Sequence, residues 1–112
     1  MVGFSRFDLV LIRFPFSEPA AYKRRPGLIL SNAAFQASHG HCLMAMITTA
    51  SATKWPSDIL IADLEGTGLR TTSYVRLKLF TLSEELMIGR LGDLSPSDRP
   101  TVDHALIDLL RA

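Results

Sequence analysis

Lys23-Arg24-Arg25-Pro26-Gly27-Leu28-Ile29-Leu30-Ser31-Asn32 sets three cations at the mouth of an apolar run. The run is short and ends in small polar residues, so residues 27–32 read as a buried strand. A proline restricts the residue before it to extended backbone, which holds Arg25 out at the strand edge. Gly27 lets the chain pack closely behind that edge. A second run of this kind, residues 42–49, ends in Thr48 and Thr49. If the two strands pair, a guanidinium and two hydroxyls meet at one rim of a sheet. The planar fork of arginine suits phosphate oxygens, and the pattern predicts a site for a phosphodiester.

Outward from this pair, the chain is punctuated by short β-rich runs. Residues 7–14 read as a strand that Pro15 stops, and residues 15–24 as a loop with Pro15 and Pro19. Residues 33–41 are small and polar, a helical turn and a loop. Residues 50–57 form a second loop carrying Lys54, Trp55 and Pro56, and residues 58–62 a fourth strand. Gly66 and Gly68 lie in a hairpin connection over residues 63–72. Residues 73–80 alternate: Ser73, Val75, Leu77 and Leu79 face one way, and Tyr74, Arg76, Lys78 and Phe80 the other. After a turn, residues 86–94 form a last strand bent at Gly89 or Gly92. A helix follows, capped by Ser95 or Ser97, with Pro100 in its first turn. Val102, Ala105, Leu106, Leu109 and Leu110 make its apolar stripe. Five or six short strands with one terminal helix predict a small, strongly bent sheet or partly open barrel.

A chain of 112 residues with 47% apolar and 21% charged side chains fits one soluble globular domain, residues 1–112. The net charge is only +1, but it is unevenly spread. Residues 20–80 hold seven basic side chains against three acidic ones, whereas residues 81–112 hold six acidic against three basic. A basic middle beside an acidic end is the footprint of an anion or nucleic-acid binder. Cys42 is the only cysteine, which fits a small buried residue in a reducing cytoplasm. No secretion signal or membrane-spanning run is visible. His39 and His41 stand two apart without nearby cysteine or carboxylate partners, so no metal or other cofactor is expected.

The ordered set of residues 8–16, 23–32, 46–49, 56–59, 73–82 and 90–95 resembles the MazF/PemK-type toxins of type II toxin–antitoxin systems, and the likeness runs nearly end to end. The resemblance implies a mainly β fold, an SH3-like β-barrel of the MazF/PemK/CcdB kind with a C-terminal α-helix, usually dimeric. It implies a ribosome-independent endoribonuclease, an mRNA interferase, that cuts single-stranded RNA at short sequences and is neutralised by a cognate antitoxin in the cytoplasm. The family's catalytic arginine precedes the proline of the second strand, here Arg25. Its catalytic hydroxyl follows the isoleucine of the third, here Thr48. Some members also use an arginine and an aspartate on a later strand. Arg76 matches the arginine, while Lys78 stands at the aspartate position, a departure.

In such a reaction RNA supplies its own nucleophile, the 2′-hydroxyl. Arg25 is suited to stabilise the anionic phosphorane but not to act as a base, because its pKa is too high. Thr48 is placed to hydrogen-bond the phosphate or the 2′-hydroxyl. Lys23, Arg24, Thr49, Arg76 and Lys78 are the remaining candidates for RNA contacts. Trp55, beside Lys54, either stacks on an unpaired base or packs in the core. Two other readings stand beside this one. A non-catalytic toxin of similar fold that poisons gyrase carries a tryptophan at its extreme C-terminus, where this chain has Leu109-Leu110-Arg111-Ala112. A plain SH3-like RNA-binding module needs the cations but no paired Arg25 and Thr48.

Overall fold

A computed structural model of the protein describes residues 3–13, 24–49 and 54–112. Six strands, β1 (Asp8–Arg13), β2 (Arg24–Ile29), β3 (His41–Thr49), β4 (Ile59–Leu60), β5 (Ser73–Ser83) and β6 (Met87–Asp93), form one antiparallel sheet in the order β4-β5-β3-β2-β1-β6. Two helices accompany it, α1 (Ala33–His39) between β2 and β3, and α2 (Arg99–Leu110) at the end. The sheet curls as a strongly bent sheet does, and its edges β4 and β6 do not pair with one another. The expected loop over residues 15–24 falls almost wholly outside the described residues.

Alternation along the strands feeds two apolar layers. Leu9, Leu28, Ala45, Ile47 and Val75 point to one, which Val102, Ala105 and Leu106 of α2 cover. Val10, Ile12, Ile29, Cys42, Met44 and Leu82 make the other. Each fully buried aliphatic side chain there stabilises the fold by about 1.5–3 kcal/mol. Cys42 is wholly buried, and burial, aided by the charge of Glu84, pushes its thiol up to about 11.

Several element bounds differ from the expected ones. β2 begins at Arg24 rather than Gly27, because β1 pairs with it as far as Arg13↔Arg24 and so holds two arginines and a proline in extended form. β2 also ends at Ile29: Asn32 leaves the sheet to cap α1, its side chain accepting from the Phe35 N–H at 2.9 Å. Gly40, in the left-handed region, closes that helix. β4 is only two residues long, since the chain turns away after pairing Leu60↔Tyr74. The α2 cap is Asp98, not a serine. Its carboxylate is drawn across to the backbone N–H groups of Ala62 and Asp63, at 3.2 and 3.0 Å, and to Ser95 Oγ at 3.0 Å. The apolar stripe of α2 is buried only in its first half; Leu109 and Leu110 are 52% and 78% exposed.

Two irregularities shape the sheet. β6 carries bulges at Leu91 and Ile88 where it runs against β1, beside Gly92 and Gly89 respectively, and there the strand bends. Gly92 is required on a second count, for a Cβ there would lie 2.1 Å from the Gly66 carbonyl oxygen. In β5 the partners pass from Met46↔Arg76 to Met44↔Phe80, so residues 77–79 face only Ala45. Two extra residues preserve the alternation. Leu77 and Leu79 still pack on the first layer, Phe80 on the second, and Lys78 is left exposed between them.

Candidate functional site

β2 and β3 are paired only from Gly27↔Met46 inward. Continuing that register places Arg25 directly opposite Thr48. Pro26, with no N–H to donate, stands where the β3 ladder stops, while the β1 ladder runs on to Arg24. The strands part beyond it, and a cleft of about 280 Å³ opens at this end of the sheet. Arg24, Arg25, Thr48 and Thr49 line it from the two strands. Arg70, Thr71 and Ser73 close it from the segment that leads into β5. Three guanidiniums and four hydroxyls thus border one small cleft, with Pro26, Ile47 and Leu69 between them, and its three positive charges without a carboxylate suit an anion. A larger groove of about 530 Å³ lies against β6, lined largely by Phe4, Met87, Ile88 and neighbouring glycines, and none of the expected site residues reach it.

Next to the cleft, β3 and β5 pair Thr48↔Tyr74 and Met46↔Arg76. Paired residues share a face. Arg25, Thr48 and Tyr74 therefore form a row across three strands, with Arg76 one step along. Arg76 does not reach outward alone. Its Nε and Nη2 donate to the two oxygens of Asp58 at 3.1 and 2.9 Å. The Asp58 side chain is completely enclosed, a position a carboxylate tolerates when paired in this two-pronged way. That hydrogen bonding, chiefly from Arg76, holds the Asp58 carboxyl below the usual carboxylate range. Asp58 Oδ2 also accepts from the Trp55 N–H at 2.9 Å, while the Asp58 N–H donates to the Trp55 carbonyl at 3.0 Å. The turn so closed lays the Trp55 ring against the Arg76 guanidinium, 4.9 Å from its centroid. Lys54 stands over Tyr74 at 5.1 Å.

Of the residues singled out in the sequence, the fold gathers Arg24, Arg25, Thr48 and Thr49 in the cleft and sets Trp55 and Arg76 together beside it. Trp55 is 38% exposed, so it is not a core residue. Lys78 lies farther along β5, in the bulge, and does not line the cleft. Lys23 lies outside the described residues. His41 is tied to the His39 carbonyl at 2.8 Å, and among the described residues no three His, Cys, Asp or Glu side chains cluster as metal ligands would. Sequence reading missed Arg70, Tyr74 and Asp58. The alternation of β5 already put Tyr74 on the face of Arg76. Nothing local marks Arg70 or Asp58, whose places depend on long-range pairing.

The family model described as PemK-like, MazF-like toxin of type II toxin–antitoxin system matches residues 5–110. No curated protein matches the chain. Among solved structures, an endoribonuclease in complex with its cognate antitoxin from a mycobacterial species superposes with a TM-score of 0.76 at 21% identity, covering 98% of this chain and 95% of that one. MazF from Deinococcus radiodurans gives 0.75 at 21% identity, with 98% of both chains covered. The Mycobacterium tuberculosis toxin MazF-mt6 gives 0.70 at 20% identity, over 90% of this chain and 93% of that one.

Proposed function

Because the chain belongs to the PemK-like, MazF-like toxins of type II toxin–antitoxin systems, we propose that it is a ribosome-independent, sequence-specific endoribonuclease, cutting single-stranded RNA and neutralised by a cognate antitoxin. The observation that carries this reading is that Arg25 and Thr48 line one cationic cleft where β2 and β3 cease to pair. A scissile phosphate seated there meets the Arg25 fork, which donates to its non-bridging oxygens. Thr48 hydrogen-bonds the same phosphate or the 2′-hydroxyl beside it. The 2′-oxygen attacks phosphorus and loses its proton, the bond from phosphorus to the 5′-oxygen breaks, and that oxygen takes up a proton. The products are a 2′,3′-cyclic phosphate, which water can open to a 3′-phosphate, and a 5′-hydroxyl. As negative charge gathers on the phosphorane, the Arg25 guanidinium stabilises it more than the ground state. Arg24, Thr49 and Arg70 hold neighbouring phosphates, and Lys78 extends the track.

The same charge pattern supports the partners. A dimer doubles the cationic cleft, and an acidic, initially disordered segment of the antitoxin folds along it and excludes RNA. The compartment is the cytoplasm, consistent with a single buried thiol; among the described residues no helix is long and apolar enough to cross a membrane. The test is cleavage of a natural RNA in excess chelator, with end-group analysis and primer extension. Fragments with cyclic or 3′-phosphate and 5′-hydroxyl ends at defined sequences are expected. RNA that is bound but never cut, or cut only after magnesium or zinc is restored, would overturn the reading.

A further inference from the structure

We infer that Trp55, Arg76 and Asp58 together form a nucleobase-stacking platform beside the cut, with Asp58 as the positioning residue that builds it. The inference rests on the ribonuclease reading above and goes on to assign the base-selecting element. Three observations carry it. The Arg76 charge is matched by a two-pronged carboxylate at 2.9 and 3.1 Å, which fits a structural backing better than a phosphate clamp. That guanidinium lies against the Trp55 ring, which still keeps 38% of its surface exposed. Asp58 engages both at once, the Arg76 guanidinium directly and Trp55 through its backbone N–H at 2.9 Å. Asp58 thus fixes the turn that carries Trp55, and the Arg76 guanidinium lies against the ring itself, so stacking on a platform already assembled costs less ordering.

Position decides what stacks there. Arg76 is two pairs along from Thr48↔Tyr74, so its backbone lies roughly 8 Å from that of Thr48, from a strand rise of ~3.3 Å per residue and a strand spacing of ~4.8 Å. With the scissile phosphate between Arg25 and Thr48, a base flanking it falls within reach of Trp55. Aromatic stacking accepts every base, with modest preferences set by stacking strength, so the platform gives a mild preference for the larger π-face of a purine at that position.

Trp55 is the only tryptophan in the chain, so its fluorescence reports this site alone. The probe is a 2′-O-methyl oligonucleotide, which binds but lacks the nucleophile, with a fluorescent label at its far end to measure binding independently. Binding is expected to quench Trp55, more strongly for a purine than for a pyrimidine beside the cut. Asp58→Asn is expected to shift the emission of the free protein and remove the quench. Arg76→Met withdraws the backing from the other side and serves if Asp58→Asn fails to fold. Trp55→Leu is expected to raise the half-saturating concentration of cleavable RNA by about 5- to 150-fold, the loss of one stack, and by more than it lowers the saturating rate. It should also relax the preference beside the cut in primer extension. Oligonucleotide binding by anisotropy with no change in Trp55 emission would overturn the platform while leaving the ribonuclease reading intact. Absence of both binding and cleavage by the wild-type protein would sink the two together.

Discussion

Arg25 illustrates how one residue acquires a role from its neighbours. It is exposed, yet it sits inside β2, paired with Ile12 and followed by a proline that ends the bonding to β3. Its side chain contributes little to the core, so Arg25→Ala is expected to keep the circular dichroism and melting temperature of the wild type. Cleavage should fall by about 10²–10³, the cost of losing one electrostatic donor to a developing oxyanion. Arg25→Lys should restore only part of the rate, because a point charge cannot present two parallel donors. Single-turnover assays on the two variants check both statements, and a folded Arg25→Ala protein with full activity would remove Arg25 from the reaction. The neighbour of this arginine was equally plain in sequence, since Thr48 ends an unbroken apolar run. Arg70 was not, because it enters the cleft from a connection whose course is set only when β5 pairs with β3.

At the scale of elements, legibility followed the strength of local pattern. β1 and β3 announce themselves as short apolar runs, β5 by alternation and the first half of α2 by helical spacing. The start of β2 does not, because Arg24, Arg25 and Pro26 are weak strand formers kept extended by β1, a tertiary contact overriding local preference. The same limit hid Asp58, which lies 18 residues from the arginine it holds. The turn that joins them makes a pH-dependent bond between β5 and the segment before β4. The folded-state pKa of Asp58 is depressed, chiefly by the hydrogen bond from Arg76. Its stabilising contribution is therefore complete above the unfolded value of about 3.9 and is lost as pH falls through the lower folded value. Melting temperatures of wild type and Asp58→Asn should differ by a constant amount from neutral pH down to about 5 and converge in more acid solution, below about 4. A difference that persisted unchanged into strong acid would show that the carboxylate charge is not what ties the turn to the strand.

For the whole molecule, the uneven charge matters more than the net value of +1. Cations crowd the middle of the sequence, and the fold gathers Arg24, Arg25 and Arg70 around one cleft at the end of the sheet. An RNA strand that runs from Arg24 and Arg70 past Thr48 towards Lys78 would release counterions in proportion to the phosphates it pairs. Each lost contact should then reduce the slope of log affinity against log salt by roughly 0.7 for a single strand. Lys78→Ala and Arg70→Ala are each expected to lower that slope by about this amount, equally for all sequences, since phosphates carry no base information. Both should raise half-saturating RNA more than they reduce the saturating rate. An acidic antitoxin segment on the same track must compete with RNA, and its own affinity should lose salt dependence in the same two variants. Sedimentation at micromolar concentration should show a dimer that binds the segment and RNA in mutual exclusion. If the slope were unchanged in Lys78→Ala but reduced in Arg70→Ala, the strand would leave the protein at Trp55, and the bulge of β5 would lie beyond the RNA path.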